Sequence, residues 1–360
     1  MSDKQLIKHY SKPGDREREA YDEDTLFDHY TLSATANQRP LRVDVFLANL
    51  LPFTTRSKIK NASRTGSITV NGKAVKVSYK VRPNDVVKVM LPFPPVPSLE
   101  AEDIPLDIRY EDDALIILHK PSGMVVHPGL GHRTGTLVHG LLHHVANLPK
   151  QKGQVEGNTR PGLVHRLDKD TTGIMVIAKS EYAMAHLSKQ FFDRTSDRSY
   201  LALVWGDVEQ DEGTITAHVG RHTSDRKIYR AYPDGSKGKH AVTHYTVLER
   251  FGVLTLIQCK LETGRTHQIR VHLKYLGHPL FSDTAYGGSR ILKGPPTKKY
   301  QQMIRNLMDL LPRQALHAKT LSITHPDSGE RLAFDSDLPP DMAAAVQKLK
   351  RWVNSASEIG

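Results

Sequence analysis

A charged loop between two apolar segments carries the residues of this chain that are best suited to chemistry. Asp168 lies in GLVHRLDKDTTGIMVIAK, where a short apolar run leads into the charged loop, a Thr-Thr-Gly turn and a strongly apolar strand. A carboxylate on such a strand-flanked loop can be fixed rigidly beside a cleft. The loop is therefore the first candidate for an active site.

Three interpretations of this loop compete. Asp168 or Asp170 could cap the turn by accepting backbone amides. The two could form a carboxylate pair that binds Mg²⁺ or serves the acid and base steps of a glycosidase. Asp168 could instead act alone, as a nucleophile or an electrostatic group among cations. The neighbours His165, Arg166 and Lys169 favour this third interpretation, because positive charges keep a carboxylate ionised.

A second segment, LETGRTHQIRVHLKYLGHPL, has the pattern of an amphipathic helix. Thr266 can cap its start, Gly277 suits the position after its end, and three apolar residues recur at helical spacing, namely Ile269, Leu273 and Leu276. Arg270 would lie on another face and could donate a two-pronged hydrogen bond to a carboxylate. A solvated arginine is the ordinary alternative. For Tyr200, in RSYLALVWGDV, the ordinary alternative is a packed strand tyrosine.

The elements around these segments are mostly strands. Six apolar or β-branched runs predict strands, at 115–118, 174–178, 200–205, 242–248, 253–261 and 316–323. They do not alternate regularly with helices, which favours an α+β fold with a mixed, mainly antiparallel sheet over a doubly wound parallel one. Cys259 lies in one of these runs and is expected to be a packed thiol.

The pattern of residues 41–90 predicts a small separate unit that contains an apolar segment, a basic helix and a hairpin. Asn71-Gly72 tolerates positive φ and suits a type I′ turn, and Gly66 can end the helix. The cations of this unit could follow a phosphate backbone or could form an ordinary solvated face. They are Arg56, Lys58, Lys60 and Arg64 on the helix, then Lys73, Lys76, Lys80 and Arg82.

The charge balance favours a polyanionic partner. The 360 residues include 50 Lys+Arg against 39 Asp+Glu, which gives a formal charge of +11. Nucleic acid and an anionic membrane surface are the candidates. No run of about 18 apolar residues occurs, and residues 1–30 contain many acids and bases, so we expect a soluble cytoplasmic protein. With one cysteine and no histidine spacing such as HExxH, we expect no metal site.

Shifts in composition predict the domain boundaries. Residues 1–38 are polar and aperiodic and are expected to form a disordered tail. The small basic unit would span 39–95, and the prolines of LPFPPVPSLEAEDIP predict a linker that covers 96–105. The larger domain would span 106–353, with a C-terminal tail at 354–360.

Two resemblances bear on the open alternatives. The order of basic helix, glycine and Val-Asn-Gly hairpin resembles the S4 RNA-binding domain. HRLDKDTTG is similar to the signature of the RluA-type pseudouridine synthases, and it is seconded by HKPSGMVVHPG at 119–129, by Tyr200 in its strand and by TGRTHQIRVH at 263–272. The resemblance spans residues 41 to about 340. Thr172 departs from the pattern, since many relatives have Ser there.

This resemblance implies an enzyme that isomerises uridines in large-subunit ribosomal RNA to pseudouridine without a cofactor. It implies that Asp168 is the essential carboxylate, that Arg166 fills the space left by a flipped uridine, and that Tyr200 contacts the uracil ring. It also implies that Arg270 pairs with Asp168, with Arg265 as the alternative partner.

The remaining expectations concern RNA and the competing hypotheses. His165 and Arg265 are assigned to RNA or base contact, and the S4-like cations Arg56, Lys58, Lys60, Arg64 and Lys73 to the phosphates. We expect a monomer. The competing hypotheses are a non-enzymatic RNA-binding or ribosome-assembly factor and a metal-dependent nuclease or glycosidase that uses Asp168 and Asp170.

Overall fold

The computed structural model describes residues 27–37, 39–51, 54, 56–92, 99–129, 132–149, 160–223, 225 and 228–357. The chain divides into two compact units, Met1–Val96 and Pro97–Gly360. Each unit has its own hydrophobic core. The expectations for residues 1–26, 96–98 and 358–360 lie outside the described residues.

The N-terminal unit combines two short helices with a small antiparallel sheet. Its elements are β1 (Phe27–Ser33), β2 (Leu41–Arg42), α1 (Val43–Leu50), α2 (Arg56–Arg64), β3 (Ile68–Val70), β4 (Lys73–Ala74), β5 (Lys80–Val81) and β6 (Val86–Pro92). The main sheet has the strand order β1-β6-β3-β4, and β2 pairs with β5. Ile59 of α2, Ile68 of β3 and Val87 of β6 are fully buried in its core.

The hairpin predicted in this unit is confirmed. Asn71 and Gly72 have φ values of 51° and 80°. A type I′ turn requires positive φ at both of its central residues, so this dipeptide fixes the register of β3 and β4. Gly66, with φ of 76°, follows α2 and ends the helix in the left-handed conformation, as expected.

The prediction of a disordered tail over residues 1–38 was wrong for residues 27–33. Residues 27–33 form β1, which pairs antiparallel with β6 from Phe27 opposite Pro92 to Ser33 opposite Val86. Tyr30, Leu32 and Ala34 alternate with polar residues and face the core of the unit, which is the pattern of a half-buried strand. The pattern is short and follows a long charged stretch, and the partner strand lies far along the sequence, so the strand was missed.

The C-terminal unit is built on one large sheet. Its strands are β7 (Asp107–Glu111), β8 (Leu115–Lys120), β9 (Thr172–Ala178), β10 (Asp197–Trp205), β11 (Glu212–Arg221), β12 (Tyr229–Tyr232), β13 (Lys239–Arg250), β14 (Leu254–Leu261), β15 (Leu316–Thr324) and β16 (Arg331–Asp335). Its helices are α3 (Leu137–His144), α4 (Glu181–Asp193), α5 (Gln268–Tyr275), α6 (Lys298–Leu310) and α7 (Pro340–Ser357).

The topology of this sheet confirms the predicted fold class. The strand order is β12-β11-β13-β14-β10-β15-β9-β8-β7, with β16 added to β15. The pairing of β9 with β15 is parallel, and the other pairings of the described strands are antiparallel. Five of the six apolar runs lie wholly in strands, namely β8, β9, β10, β13 and β15, and the run 253–261 begins one residue before β14.

Strand β10 lies near the middle of the sheet and is buried on both faces. Tyr200, Ala202 and Val204 belong to the cluster that includes Ile269 and Leu273 of α5. The alternate residues of β10, from Leu201 to Trp205, belong to a second cluster with α6 and α7. Because side chains alternate along a strand, this two-sided burial places Tyr200 on the same face of the sheet as α5.

The edges of the C-terminal unit differ slightly from the expected boundaries. Residues 99–105 of the expected linker pack on the unit, where Leu99 touches the core and the Glu102 carboxylate accepts the Gly135 amide at 2.9 Å. Helix α7 continues to Ser357, so residues 354–357 are helical and not a tail as expected. Across the described ranges of the chain, none of the helices has the length and hydrophobicity needed to span a bilayer.

Candidate active site

A cleft of about 540 Å³ in the C-terminal unit brings together all six site residues predicted for this unit. They come from the loop before β9, from β10, from α5 and from the turn that precedes α5. In chain order they are His165, Arg166, Asp168, Tyr200, Arg265 and Arg270. The prediction that these separated segments form one site is therefore consistent with the fold.

The loop that carries Asp168 is fixed by bonds to its backbone. The Thr171 amide donates to the Asp168 carbonyl at 3.1 Å, which closes the turn. The Lys120 ammonium donates to the Lys169 carbonyl at 2.8 Å, and the Arg313 guanidinium donates to the Asp170 carbonyl at 2.9 Å. Two cations from other segments thus hold the residues just after Asp168, which leaves the carboxylate little freedom to move.

Lys120 is unusual because it is fully buried. Its ammonium also donates to the carbonyls of Pro121 and Met124, at 2.7 and 3.0 Å. Burial lowers the pKa of Lys120 to about 7, although the charges of Asp170 and Asp168 oppose the shift. The motif HKPSG therefore contributes a buried anchor for the loop, a role that the sequence did not reveal.

Arg270 pairs with Asp168, as the resemblance implied. Its Nη1 donates to Asp168 Oδ2 at 3.0 Å, and the side chains are 7% and 17% exposed. Among the described residues, Asp168 Oδ1 receives no hydrogen bond. One oxygen of the carboxylate is therefore held by Arg270, the other is unbonded within the described part of the chain, and the residue lines the cleft.

The expected two-pronged bond exists, but its acceptor is Asp283. Arg270 donates from Nε to Asp283 Oδ2 at 2.7 Å and from Nη2 to Oδ1 at 2.9 Å. Asp283 is fully buried and also accepts the amides of Ala285 and Tyr286. Burial by itself would lower the pKa of Arg270. The hydrogen bonds and negative charges of Asp283 and Asp168 outweigh burial, and the pKa of Arg270 is raised. The arginine thus stays charged.

His267 is a second residue that the sequence analysis missed. It lies at the N-cap of α5 with φ of 56°, the position that had been assigned to Thr266. Its Nε2 is 3.8 Å from Asp168 Oδ1, and its Nδ1 is 2.7 Å from the Tyr286 hydroxyl. Burial lowers the pKa of His267, so the ring is neutral near pH 7.

The Tyr286 hydroxyl joins His267 to the backbone of β12. It accepts the Tyr229 amide at 3.0 Å and lies 2.7 Å from His267 Nδ1. A hydroxyl can donate its proton to this nitrogen or accept one from it, so the contact fixes the orientation of the ring. Tyr286 also packs against the Arg270 guanidinium, with 4.9 Å from the ring centroid to Cζ.

Tyr200 presents its ring to the cleft and is 7% exposed. Burial raises the pKa of Tyr200, and the nearby charge of Arg198 only partly offsets this. A tyrosine can act as a base near pH 7 only if its pKa is lowered or a water relays the proton, and the pKa of Tyr200 shifts in the opposite direction. The phenol is therefore neutral near pH 7.

His165 does not supply the positive charge expected beside Asp168. Its Nε2 accepts the Val176 amide at 3.0 Å, and its ring stacks on Phe191 with centroids 4.7 Å apart. Burial lowers the pKa of His165 to about 3. The residue lines the cleft but holds α4 and β9 to the loop, so its expected cationic role was wrong.

Arginines dominate the charge of the cleft. Arg166 is exposed, and Arg265 is held by a bond from Nε to the His240 carbonyl at 3.1 Å. Asp168 has no bond or ion pair with Arg265, which therefore does not replace Arg270. Arg160 and Arg198 also line the cleft, and neither was singled out from the sequence.

The five cations expected to bind phosphate in the N-terminal unit are exposed. Four of them lie in α2, namely Arg56, Lys58, Lys60 and Arg64, and Lys73 is the first residue of β4. In the part of the chain that the structure describes, no group of three His, Cys, Asp or Glu residues could hold a metal ion. Cys259 is buried, as expected, and burial raises its pKa to about 12.

Comparison with known proteins identifies both units. Residues 41–87 match the S4 domain, and residues 114–275 match the family described as RNA pseudouridylate synthase. An uncharacterized RNA pseudouridine synthase of Chlorobaculum parvum is 44% identical over 331 residues, which cover 91% of this chain and 99% of that protein. The chain belongs to the RNA pseudouridine synthase family. It is therefore an isomerase that carries an S4 RNA-binding domain before its synthase domain.

Other relatives of this pseudouridine synthase support the assignment. YlyB of Bacillus subtilis, named an uncharacterized RNA pseudouridine synthase, is 42% identical over 89% of this chain and 98% of its own length. A protein of Nitrosomonas europaea named ribosomal large subunit pseudouridine synthase D is 44% identical over 90% and 89%. The solved structure of human RNA pseudouridylate synthase domain containing 4 matches 68% of this chain and 92% of its own, with 23% identity and a TM-score of 0.52, which supports the fold.

Proposed function

We propose that this synthase isomerises specific uridines of large-subunit ribosomal RNA to pseudouridine, with Asp168 as the essential carboxylate. The observation that carries the proposal is the asymmetric environment of Asp168. Arg270 holds Oδ2 at 3.0 Å, while Oδ1 accepts no bond from the described residues and Asp168 lines an arginine-rich cleft. The ribosomal substrate is inferred from relatives such as the Nitrosomonas europaea protein, whose name specifies the large subunit.

The reaction needs a group that can stabilise or attack the uridine while its glycosidic bond is exchanged. The bond from N1 to C1′ breaks, the uracil turns, and a bond from C5 to C1′ forms. The C5 hydrogen leaves as a proton, and N1 ends protonated, so the atoms balance without a redox partner. The Asp168 carboxylate can serve by attack at C1′ or by addition to C6 of the ring.

Arg270 and Asp283 would hold the Asp168 carboxylate in position for the reaction. The bond to Oδ2 fixes the orientation of the Asp168 carboxylate, and Asp283 fixes the guanidinium so that it donates only one N–H to Asp168. The second oxygen thus stays available for the substrate. His267 Nε2 lies 3.8 Å from Oδ1, which is too far for a hydrogen bond, so this oxygen is not occupied by the histidine.

Arg166 and Tyr200 would receive the flipped nucleotide. Removing a uridine from its stack costs a few kcal/mol of free energy. A planar guanidinium can replace the base in the vacated space and offset part of this cost. Arg166 is exposed at the cleft and suits this role, while the buried ring of Tyr200 offers a flat surface to the uracil. Since Tyr200 stays protonated, it contacts the base but does not remove the C5 proton unaided.

The S4 domain would add affinity through phosphate contacts. Its exposed cations on α2 and β4 suit a backbone-tracking surface, and each neutralised phosphate releases counterions. We place the enzyme in the cytoplasm and expect it to act as a monomer. Subcellular fractionation and light scattering would test these two expectations.

The decisive experiment follows from the lost C5 hydrogen. Purified enzyme is mixed with an unmodified large-subunit ribosomal RNA transcript that carries tritium at C5 of uridine, in excess chelator. We expect tritium release while the RNA chains stay intact. Cleaved chains, or activity that chelator abolishes, would favour a nuclease or glycosidase, and an RNA-binding protein that releases no tritium would be an assembly factor.

A further inference from the structure

A single aromatic ring stands exposed at the rim of the cleft. Phe192, near the end of α4, is 85% exposed and lines the cleft. Isolated apolar side chains on a surface are common and need no explanation. Among the large hydrophobic residues that are exposed in the described part of the chain, however, Phe192 is the most exposed and the one that lines the cleft.

The neighbouring residue fixes the position of this ring. Phe191 stacks on His165 with centroids 4.7 Å apart, and the Arg198 guanidinium lies 4.9 Å from its centroid. This packing ties the last turn of α4 to the segment that carries Arg166. Since successive residues of a helix point about 100° apart, Phe192 cannot share the half-buried position of Phe191, and its ring projects at the rim.

The surroundings of Phe192 suit RNA. The cleft is lined by Arg166, Arg198 and Arg265, and Asp168 is the one acidic side chain among its described lining residues. The Nε of Arg198 is buried and has no hydrogen-bond partner in the described structure. Cations beside an exposed aromatic ring form the combination that binds single-stranded nucleic acid, because phosphates pair with the former and bases stack on the latter.

We propose that Phe192 stacks on the base of a nucleotide that flanks the target uridine. The inference rests on the proposed function and extends it to the recognition of the neighbouring nucleotide. When a uridine leaves its stack, each neighbouring base loses one stacking partner. With Arg166 in the vacated space, the ring at the rim offers a second stacking surface to one of these neighbouring bases, so Phe192 contributes to the stability of the flipped complex and to the choice of site.

The first test compares Phe192→Ala with Tyr182→Ala. Tyr182 lies on the same helix, is 61% exposed and does not belong to the described lining of the cleft, so it is a matched control. We expect Phe192→Ala to weaken binding of the unmodified ribosomal transcript about tenfold, with a larger effect on Kd than on the single-turnover rate at saturating enzyme. The slope of log Kd against log salt should not change, because no phosphate contact is lost. Tyr182→Ala should behave like the parent.

A second test identifies the stacked base directly. Short RNAs that span a mapped target carry an abasic residue on either side of the uridine. For the parent, one of the two substitutions should weaken binding about tenfold, and Phe192→Ala should lose no further affinity from it. Phe192→Tyr should restore both the affinity and the sensitivity to the abasic residue.

Each outcome bears on one claim only. If the parent releases no tritium from ribosomal RNA, the proposed function is wrong. If the parent is active but Phe192→Ala binds equally well, or if the losses from the protein and RNA changes multiply, the stacking proposal is wrong and the proposed function stands. Circular dichroism spectra that match the parent show that the variants are folded.

Discussion

Replacement of Asp283 by Asn tests whether this buried carboxylate positions the active site. Asp283 is fully buried, holds the Arg270 fork at 2.7 and 2.9 Å and does not line the cleft. Asn has nearly the same shape but no charge, and its amide group cannot accept from the guanidinium. Arg270 then loses one of its two carboxylate partners and is free to turn its fork toward Asp168.

Two magnitudes follow from this geometry. Loss of one partner of a buried ion pair costs about 3–5 kcal/mol. The oxygen that Asn retains can still accept backbone amides such as Tyr286 N, so we expect the lower end, about 3 kcal/mol. For a unit of this size, that loss lowers Tm by roughly 6–12 °C. If the Arg270 fork turns toward Asp168, it can bond to both carboxylate oxygens and block the one that the substrate needs. A misplacement of about 1 Å in an active site lowers the rate by roughly a hundredfold, and we expect a loss of this size.

The assay separates position from stability. Single-turnover tritium release is measured at a temperature where circular dichroism shows both proteins to be folded. The control is Asp112→Asn, because the Asp112 carboxylate accepts the amides of Ala114 and Leu115 and lies outside the described lining of the cleft. It should lower Tm and leave the rate unchanged. A folded Asp283→Asn protein with the parent rate would refute the positioning role.

Three further predictions follow from the charges. Arg270→Lys, which keeps the charge but not the fork, should lower the single-turnover rate less than Arg270→Met. The Met variant removes the donor that holds Asp168 Oδ2 and leaves the buried Asp283 carboxylate without its partner, so it should also lose stability. Equal rates for the Lys and Met variants would contradict this. Deletion of residues 1–95 should weaken RNA binding and flatten its salt dependence while the synthase domain stays folded; an unchanged slope would mean that the S4 cations do not touch RNA. Asp85 accepts the Arg82 amide at 2.8 Å, and this bond, the largest cause, lowers the pKa of Asp85. The stability that Asp85 adds to the N-terminal unit should therefore be present above pH 4 and lost as the pH falls through the lowered pKa; Asp85→Asn should remove this acid dependence in thermal melts.

The sequence located the parts of the site that lie within short motifs. Tyr200 and Arg270 each stand in a segment whose pattern predicts a strand or a helix, and Asp168 stands in the charged loop just before a predicted strand. The fold places all three at one cleft. The paired glycine and asparagine of the hairpin were predictable for the same reason, since positive φ is a local requirement.

The missed features depend on contacts between distant segments. In the sequence, Asp283 has the appearance of an ordinary turn residue in FSDTAYGG. It becomes the partner of Arg270 because the fold packs this turn against α5. His165 reads as a cation beside Asp168, but burial against Phe191 keeps it neutral. Strand β1 was missed because its short alternation of Tyr30, Leu32 and Ala34 follows a long polar stretch, and its partner β6 lies at the other end of the unit in sequence. Burial and pairing of this kind are tertiary properties, which composition and periodicity do not contain.

The most direct test of the central claim is the single-turnover rate of Asp168→Asn beside that of Asp170→Asn. Asn at position 168 keeps the shape of the carboxylate and a bond to Arg270 but cannot act as an anion or a nucleophile. We expect this variant to bind the ribosomal transcript within several-fold of the parent and to release no tritium. Asp170→Asn should retain much of the parent rate, because its part in the loop is the backbone carbonyl that Arg313 holds. Full activity of Asp168→Asn, or equal loss in the two folded variants, would contradict the assignment of Asp168 as the sole essential carboxylate.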